Sequence, residues 1–302
     1  MGGLSHCSSD YARSLANPFS GPEACVPNYP VLLTRKTRVF ARGTFSTGTA
    51  GFGFIAADPV NAVANNLNGV IASTPTFAGT TLSSAAAGVA GFSTNSEFTA
   101  AQFGETTALL QKRVVSAGLR IRYVGTVFDQ GGQVLGFSDP EHNNLFGRTF
   151  ADIDGELESA RLVVSKNNWS TVRYRPFFES DLQLNGDFPA TVLVDGSFYM
   201  AFLVQAASAG TSLTYEYEFY VNHEISGKNV RSKTASHFDP TGFGAVHAAT
   251  ITSKALMPSQ QSTGESEKTF LTTATQYLNE AVSFGQTLWN VGKMAAPLLE
   301  LL

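Results

Sequence analysis

The chain carries five histidines, His6, His142, His223, His237 and His247. Histidine is the residue type best suited to proton transfer and metal binding near neutral pH. No two of them stand four residues apart, and His223-Glu224 begins like a zinc-protease helix but lacks the second histidine. No Gly-x-Ser-x-Gly elbow and no Walker loop occur. The run from Gly48 to Gly53 is rich in glycine, but it sits between two strand-like runs rather than before a helix, and it reads as a turn. Cys7 and Cys25 lie in a turn-rich leader, and one pair cannot scaffold a chain of 302 residues. Free thiols are expected there, as in a cytosolic product. The sequence therefore predicts no enzyme.

Two other groups of charged residues could bind. Acidic residues recur at Asp129, Asp139, Glu141, Asp152, Asp154, Glu156 and Glu158. Asp152 and Asp154 have the most ligand-like spacing, and a solvated acidic loop is the competing reading. Basic residues cluster at Arg35, Lys36, Arg38 and Arg42, then at Lys112, Arg113, Arg120 and Arg122. On strands whose other face is core, they would line one side of the molecule. They would neutralise phosphates there without reading sequence, or form an ordinary solvated face or pairs with the acidic loop of a neighbouring copy. A net charge of −4 and a pI near 5.7 argue against a free nucleic-acid binder but allow local basic patches.

These residues need elements to hold them. Along 114–128, Leu119, Ile121 and Tyr123 point one way while Arg120, Arg122 and Val124 point the other. Period two with β-branched and aromatic residues predicts a half-buried strand, with Gly118 and Gly125 as bend or bulge points. One apolar face asks for a second sheet to cover it, so the stretch predicts a sandwich. Further strands are predicted within 32–57, at 133–137 after a Gly131-Gly132 hairpin turn, and at 161–165 and 170–178. Residues 198–206 and 212–225 read as a hairpin, with Tyr215, Tyr217, Phe219 and Val221 alternating against Glu216, Glu218 and Tyr220. Ser8 to Ala16 reads as a short helix before a proline-rich stretch, and 58–66 as another short helix. Residues 227–265 show no periodicity. From 266 on, Phe270, Ala274, Tyr277, Leu278, Ala281, Leu288, Trp289 and Leu299 follow helical spacing, with Pro297 predicted to end the helix. No run of about 18 apolar residues and no signal peptide is visible. With 43% hydrophobic and only 15% charged residues, the surface is charge-poor, as expected where copies of a subunit cover one another.

The central strand also carries a resemblance. Ser116 to Thr126 (SAGLRIRYVGT) resembles the early core strand of jelly-roll coat proteins of nodaviruses and their tombusvirus-like relatives. Arg35 to Phe45 (RKTRVFARGTF) is similar to their first shell strand, and Phe198 to Ser226 to their last hairpin. The matching region runs roughly over 30–226.

The resemblance implies an all-β chain: a single eight-stranded jelly-roll β-sandwich of two antiparallel sheets over 31–226. An extended N-terminal arm (1–30), laid over a neighbour, would precede it. An irregular linker (227–265) and an amphipathic helix (266–302) would follow. It implies a capsid protein of the virion, assembled in the host cell into an icosahedral shell of identical subunits. The expected partners are the viral genome, RNA ahead of DNA, and a host receptor. The genome contacts would be Arg35, Lys36, Arg38, Arg42, Arg120 and Arg122. Ca²⁺ at a subunit interface would take Asp152 and Asp154. A host membrane could be met by the helix face of Phe270, Tyr277, Leu278, Leu288 and Trp289, although that helix could equally pack under the shell or cover the core. The chain departs from the family in places. Residues 1–30 hold one basic residue, Arg13, so no Arg-rich arm is expected. Within 227–270 the sole asparagine is Asn229, followed by Val230, so self-cleavage there is not expected. The short 179–197 segment leaves no room for a protruding domain. The alternative is a non-viral β-sandwich module binding a carbohydrate or other ligand.

Overall fold

The structure, a computed structural model, describes residues 4–27, 33–60, 69–83, 87–89, 110–127, 130–141, 143–184, 198–227 and 230–299, with backbone alone at 87–89 and 284–299. Most of the expected helix at 58–66 and most of the 179–197 segment lie outside these residues.

Strands β1 (Leu33–Ser46), β2 (Phe52–Ala57), β3 (Val70–Ser73), β4 (Ala87–Val89), β5 (Leu110–Tyr123), β6 (Gly132–Ser138), β7 (Ser159–Leu162), β8 (Ser170–Arg173), β9 (Met200–Ala206), β10 (Thr214–Gly227) and β11 (Thr234–Ala235) build two sheets. The first has the order β11-β1-β10-β5-β8, the second β4-β3-β2-β9-β6-β7. Neighbouring strands run antiparallel. The chain changes sheet between β1 and β2, β4 and β5, β5 and β6, β7 and β8, β8 and β9, and β9 and β10. This interleaved order is a jelly roll.

That order corrects two expected hairpins. β9 and β10 are not paired with each other but lie in opposite sheets, and so do β5 and β6 across Gly131-Gly132. Alternation shows which faces a strand has, but not which strand lies beside it. Two successive half-apolar strands bury as well by facing each other across the core as by pairing edge to edge. Between the sheets, Leu119, Ile121 and Tyr123 of β5 meet Tyr215, Phe219 and Val221 of β10 and Phe202 and Met200 of β9. The second sheet is buried on its outer side too. There, Phe52, Phe54 and Leu135 lie under Phe77, Leu145 and Ile153. Ile153 belongs to α2 (Phe150–Asp154).

The outer side of the first sheet is covered by helices α1 (His6–Ala16), α3 (Pro240–Thr252) and α4 (Thr263–Leu299). Tyr11, Leu15, Val246, Ala249, Phe270 and Ala274 share one core with Val115 of β5. Residues 4–27 are therefore not an arm laid over a neighbour. Tyr11, Ala12, Leu15 and Ala16 form one apolar side of α1 and bury it on the chain's own sheet. The 227–265 segment is not irregular throughout, because it contains β11 and α3. α3 has almost no amphipathic period to betray it. It forms because Asp239 accepts from Gly242 N–H as N-cap, Pro240 follows at the first helical position, and tertiary contact buries Val246 and Ala249. The same Asp239 carboxylate accepts from Ser5 and from Ser8, the latter at 2.6 Å, and Ser5 caps α1. One side chain thus joins two helix starts. α4 runs past Pro297 to Leu299 rather than ending there.

Gly118 serves a close approach rather than a bend: a Cβ there would stand 2.5 Å from Pro18 Cγ and 2.8 Å from Phe19 Cζ. The bulge lies nearby, where Ser116 pairs with Asn222 but Val114 pairs with His223, leaving Val115 as the extra residue. Among the described residues, no helix is long and apolar enough to cross a membrane. Because Phe270 is fully buried beneath α1 and α3, Phe270→Ala should lower unfolding stability by about 3–5 kcal/mol, read as a lower urea midpoint with an unchanged slope.

Candidate functional site: the outer face of the first sheet

The Val115 bulge decides what this face can hold. Ser116 and Arg113 are three residues apart, so strict alternation would turn one of them inward. The extra residue restores both to the outside. Arg113 there meets Glu224 of β10, its cross-strand partner. Both side chains are completely buried. Glu224 accepts from Arg113 Nε at 2.8 Å and Nη2 at 2.7 Å. It also accepts from the hydroxyls of Thr34 (2.5 Å) and Ser236 (2.6 Å) and from Val26 N–H (3.2 Å). Lys36 Nζ stands 3.9 Å away. Arg113 also donates to the carbonyls of Leu182 and Val26, each at 3.0 Å. Burial pushes the Glu224 carboxyl up, but Arg113, Ser236, Thr34 and Val26 outweigh it and hold it below the usual carboxylate range. This network ties β1, β5, β10 and the segment after β11 to the strap around Val26.

Cys7 of α1 is bonded to Cys25 of that strap, where free thiols were expected. The cause is tertiary. α1 and the strap lie against the same part of the sheet, which brings the two Cα atoms to 6.5 Å, within the usual span of a disulfide.

The other half of the face is open and holds most of the predicted phosphate-binding residues. Arg38, Arg42, Arg120 and Arg122 lie together there, but each already has a partner in this chain. Glu218 takes both Arg120 Nε at 2.9 Å and Arg42 Nε at 3.1 Å, and Glu216 pairs with Arg122. Arg38 donates to Asn222 Oδ1 at 2.6 Å and to the carbonyl of Gly21 at 2.7 Å, which anchors the strap. Trp169 lies against Arg120 and Arg122, 4.5 and 4.8 Å from its ring centre, and Phe19 lies 4.5 Å from Arg120. Lys36 instead reaches Thr234 of β11 at 2.9 Å. Arg35 has the opposite strand parity to these residues.

Sequence reasoning missed the acidic half of this arrangement. Glu216 and Glu218 are visible as alternating residues. Their role emerges only when β10 is known to lie between β1 and β5, setting them across from Arg122 and Arg120. Glu224 and Trp169 gave no signal as partners for the same reason.

The predicted Ca²⁺ ligands sit on α2, far along the chain from this face. Asp152 closes a capping box with Thr149, accepting from its N–H at 2.8 Å and its hydroxyl at 2.7 Å. Asp154 accepts from Arg161 Nε at 2.7 Å. The Thr149 bonds hold the first carboxyl below its usual range, and Arg161 does the same for the second. No cluster of three potential metal ligands exists among the described residues. Of the predicted membrane-facing residues, Phe270 and Leu278 are buried in the chain's own helical layer and the Tyr277 hydroxyl donates to Thr252 at 3.0 Å. Leu288 and Trp289 lie outside the described side chains.

A second buried polar group faces inward at the same end of β5. Lys112 Nζ lies 3.5 Å from His223 Nε2, and both residues are buried near Asp58. Burial, then the Lys112 charge, keeps the His223 imidazole well below its usual value. Two outcomes are expected. Glu224→Ala leaves Arg113 buried without its counter-charge and should cost about 3–5 kcal/mol; Glu224→Met combined with Arg113→Met should cost less than either single change. Stability should also fall on acidification. The unfolded chain takes up protons first at histidine, so His223 contributes a loss that begins near its unfolded value of 6.5. The Glu224 contribution is complete above its unfolded value of 4.5 and is lost as pH falls through the lower folded value. Thermal melting from about pH 7.5 to 5 should show a falling midpoint, and His223→Gln should flatten that slope.

No protein-family model matches this chain, and no curated protein does. Solved structures of low identity match it along most of its length. The T13 viral particle of infectious bursal disease virus aligns with a TM-score of 0.51 and 10% identity, over 91% of this chain and 98% of that one. The VP2 protein of the same virus, in derived T=1 particles, gives 0.52 and 9% over 88% and 96%. The Gx strain gives 0.52 and 9% over 86% and 98%. The chain shares the fold of these viral-particle proteins, a jelly-roll sandwich.

Proposed function

We propose that this chain is a viral capsid protein, whose copies assemble into a closed icosahedral shell around a viral genome in the virion. The observation that carries the reading is the strand order, an interleaved jelly roll shared over 91% of the chain with a protein of a viral particle. The charge-poor composition supports it, because a subunit surrounded by its own copies buries much of its surface. We assign it a structural role and no catalysis. The narrower kinship, to nodavirus and tombusvirus-like coat proteins, rests on the stretches that form β1, β5, β9 and β10.

The genome contact is the open half of the first sheet, with RNA preferred to DNA. Arg42, Arg120 and Arg122 share Glu216 and Glu218, so the face keeps only a small positive excess, and Trp169 offers a ring on which an unpaired base can stack. Binding there is weak and independent of sequence, as suits a lining. Ca²⁺ would take Asp152 and Asp154 only by displacing Thr149 and Arg161. Host contacts fall to the loops. Membrane contact, if made by α4, falls to its later turns, because Phe270 and Leu278 are turned inward.

Negative-stain electron microscopy of the purified chain should show uniform spheres, with absorbance at 260 and 280 nm on the same fraction reporting packaged nucleic acid. Particles of Arg120→Ala with Arg122→Ala should form and carry less of it. A monodisperse monomer, unchanged by Ca²⁺ or pH, would refute the capsid reading.

A further inference from the structure

Enclosed cations in this chain come with acids. Arg113 has Glu224, Arg175 has Glu158, and Lys112 lies near Asp58. Among the described residues Arg173 of β8 is the exception. It is fully enclosed, and its Nε donates to the Ala16 carbonyl in the last turn of α1 at 2.7 Å. Its Nη1 and Nη2 have no partner. Burial alone acts on the group and pushes it down to about 10, so at neutral pH it still carries its charge.

The pairing of β8 shows where those nitrogens lie. Arg173 stands opposite Gly118 of β5, on the outer face that Pro18 and Phe19 cover. On the free edge of β8, Thr171 and Ser259 exchange both backbone bonds, at 2.8 and 3.0 Å. Directly paired residues share a face, so Ser259 is the diagonal neighbour of Arg173 there, within reach of a long side chain. Its Oγ is buried and also has no partner. Ser266 of α4 carries a third such group. It adjoins Glu267, which pairs with Arg13 one turn before Ala16. Arg173 and Ser266 thus both stand by the last turn of α1.

A cation enclosed without a counter-charge is costly. Water can take its hydrogens but brings no charge. The acids of the helical layer are engaged elsewhere, Glu224 with Arg113, Glu267 with Arg13 and Asp239 with two helix starts. We propose that Arg173 binds a monovalent inorganic anion of the size of chloride, held inside the subunit between β8, the end of α1 and the 253–259 segment. Nη1 and Nη2 donate to the ion, and the Ser259 hydroxyl turns its hydrogen to it from the free edge of β8. One guanidinium balances one negative charge, whereas a divalent oxyanion would itself leave a net charge enclosed. The ion joins the edge of the first sheet to α1 and to the segment between α3 and α4. It is therefore bound as the chain folds, and its binding is read as stability. The site does not depend on the capsid reading, since each subunit would hold its own ion.

Thermal melting of the full chain tests this, with sodium chloride replacing sodium gluconate at constant ionic strength and pH 7.5. The wild-type midpoint should climb with the logarithm of the chloride concentration from about 1 to 100 mM. Arg173→Met keeps the reach of the side chain without its charge, and it should show only the general salt drift that both proteins share. Sulfate in place of chloride should move the two proteins alike. Equal chloride slopes in wild type and variant would mean an adventitious ion only and overturn the site. A difference seen with sulfate and not with chloride would overturn the monovalent assignment. Should Arg173→Met fail to fold, crystals of the wild type grown in sodium bromide decide. An anomalous peak within hydrogen-bond reach of Nη1 and Nη2 is expected, and water alone at that place would overturn the proposal. Neither measurement requires the chain to assemble, so the ion site and the capsid reading stand or fall separately.

Discussion

The buried pair of Arg113 and Glu224 is the constraint on which the rest of this molecule depends. Two opposite charges with no solvent cost a great deal to bury unless nearly every hydrogen and lone pair is met. Here Glu224 receives bonds from Arg113, two hydroxyls and a backbone N–H, and Arg113 closes on two carbonyls. The donors come from β1, β5, the strap and the segment after β11. None of those parts can shift without stranding a charge. The pair therefore works less as a source of stability than as a register pin: it makes one arrangement of strap and sheet far better than any neighbouring one.

The same face shows how one sheet can serve two purposes. Its upper half is dry and carries helices, and its lower half is wet and carries arginines. The division follows from the chemistry of the outward residues of β10. Glu224 and Asn222 are met by buried partners, and Glu218 and Glu216 by solvated ones. Strand alternation sets the face, and the helical layer then decides which charges are enclosed. The Cys7–Cys25 bond strengthens the dry half by tying α1 to the strap that feeds Val26 into the pair.

Much of the sandwich is legible in the sequence, because burial on one face writes a period of two. Leu119, Ile121, Tyr123 and their partners Tyr215, Tyr217 and Phe219 can be assigned to the core from alternation alone. The similarity of three segments to coat-protein strands selects the jelly roll among sandwiches, but the hairpin that it suggests over 198–226 is two strands in opposite sheets. What stays hidden is everything that depends on neighbours distant in sequence. Strand partners, hence the Glu218 bridge between Arg42 and Arg120, are one instance. The helix α3 is another, since its small residues pack all round and its start is fixed by a cap rather than by a pattern. The disulfide is a third, because eighteen residues of separation say nothing until a helix and a strap are folded onto one surface.

The double cap at Asp239 sets the order of events in the life of the chain. Ser5 and Ser8 are separated from that carboxylate by 234 and 231 residues, yet the first helix lacks its cap partner and its packing surface without it. α1 is made well before α3 and α4 and cannot dock until they follow. Contacts of such long separation form late. The helical layer is thus a completion signal: a chain cut short before α3 leaves the outer face of the first sheet uncovered.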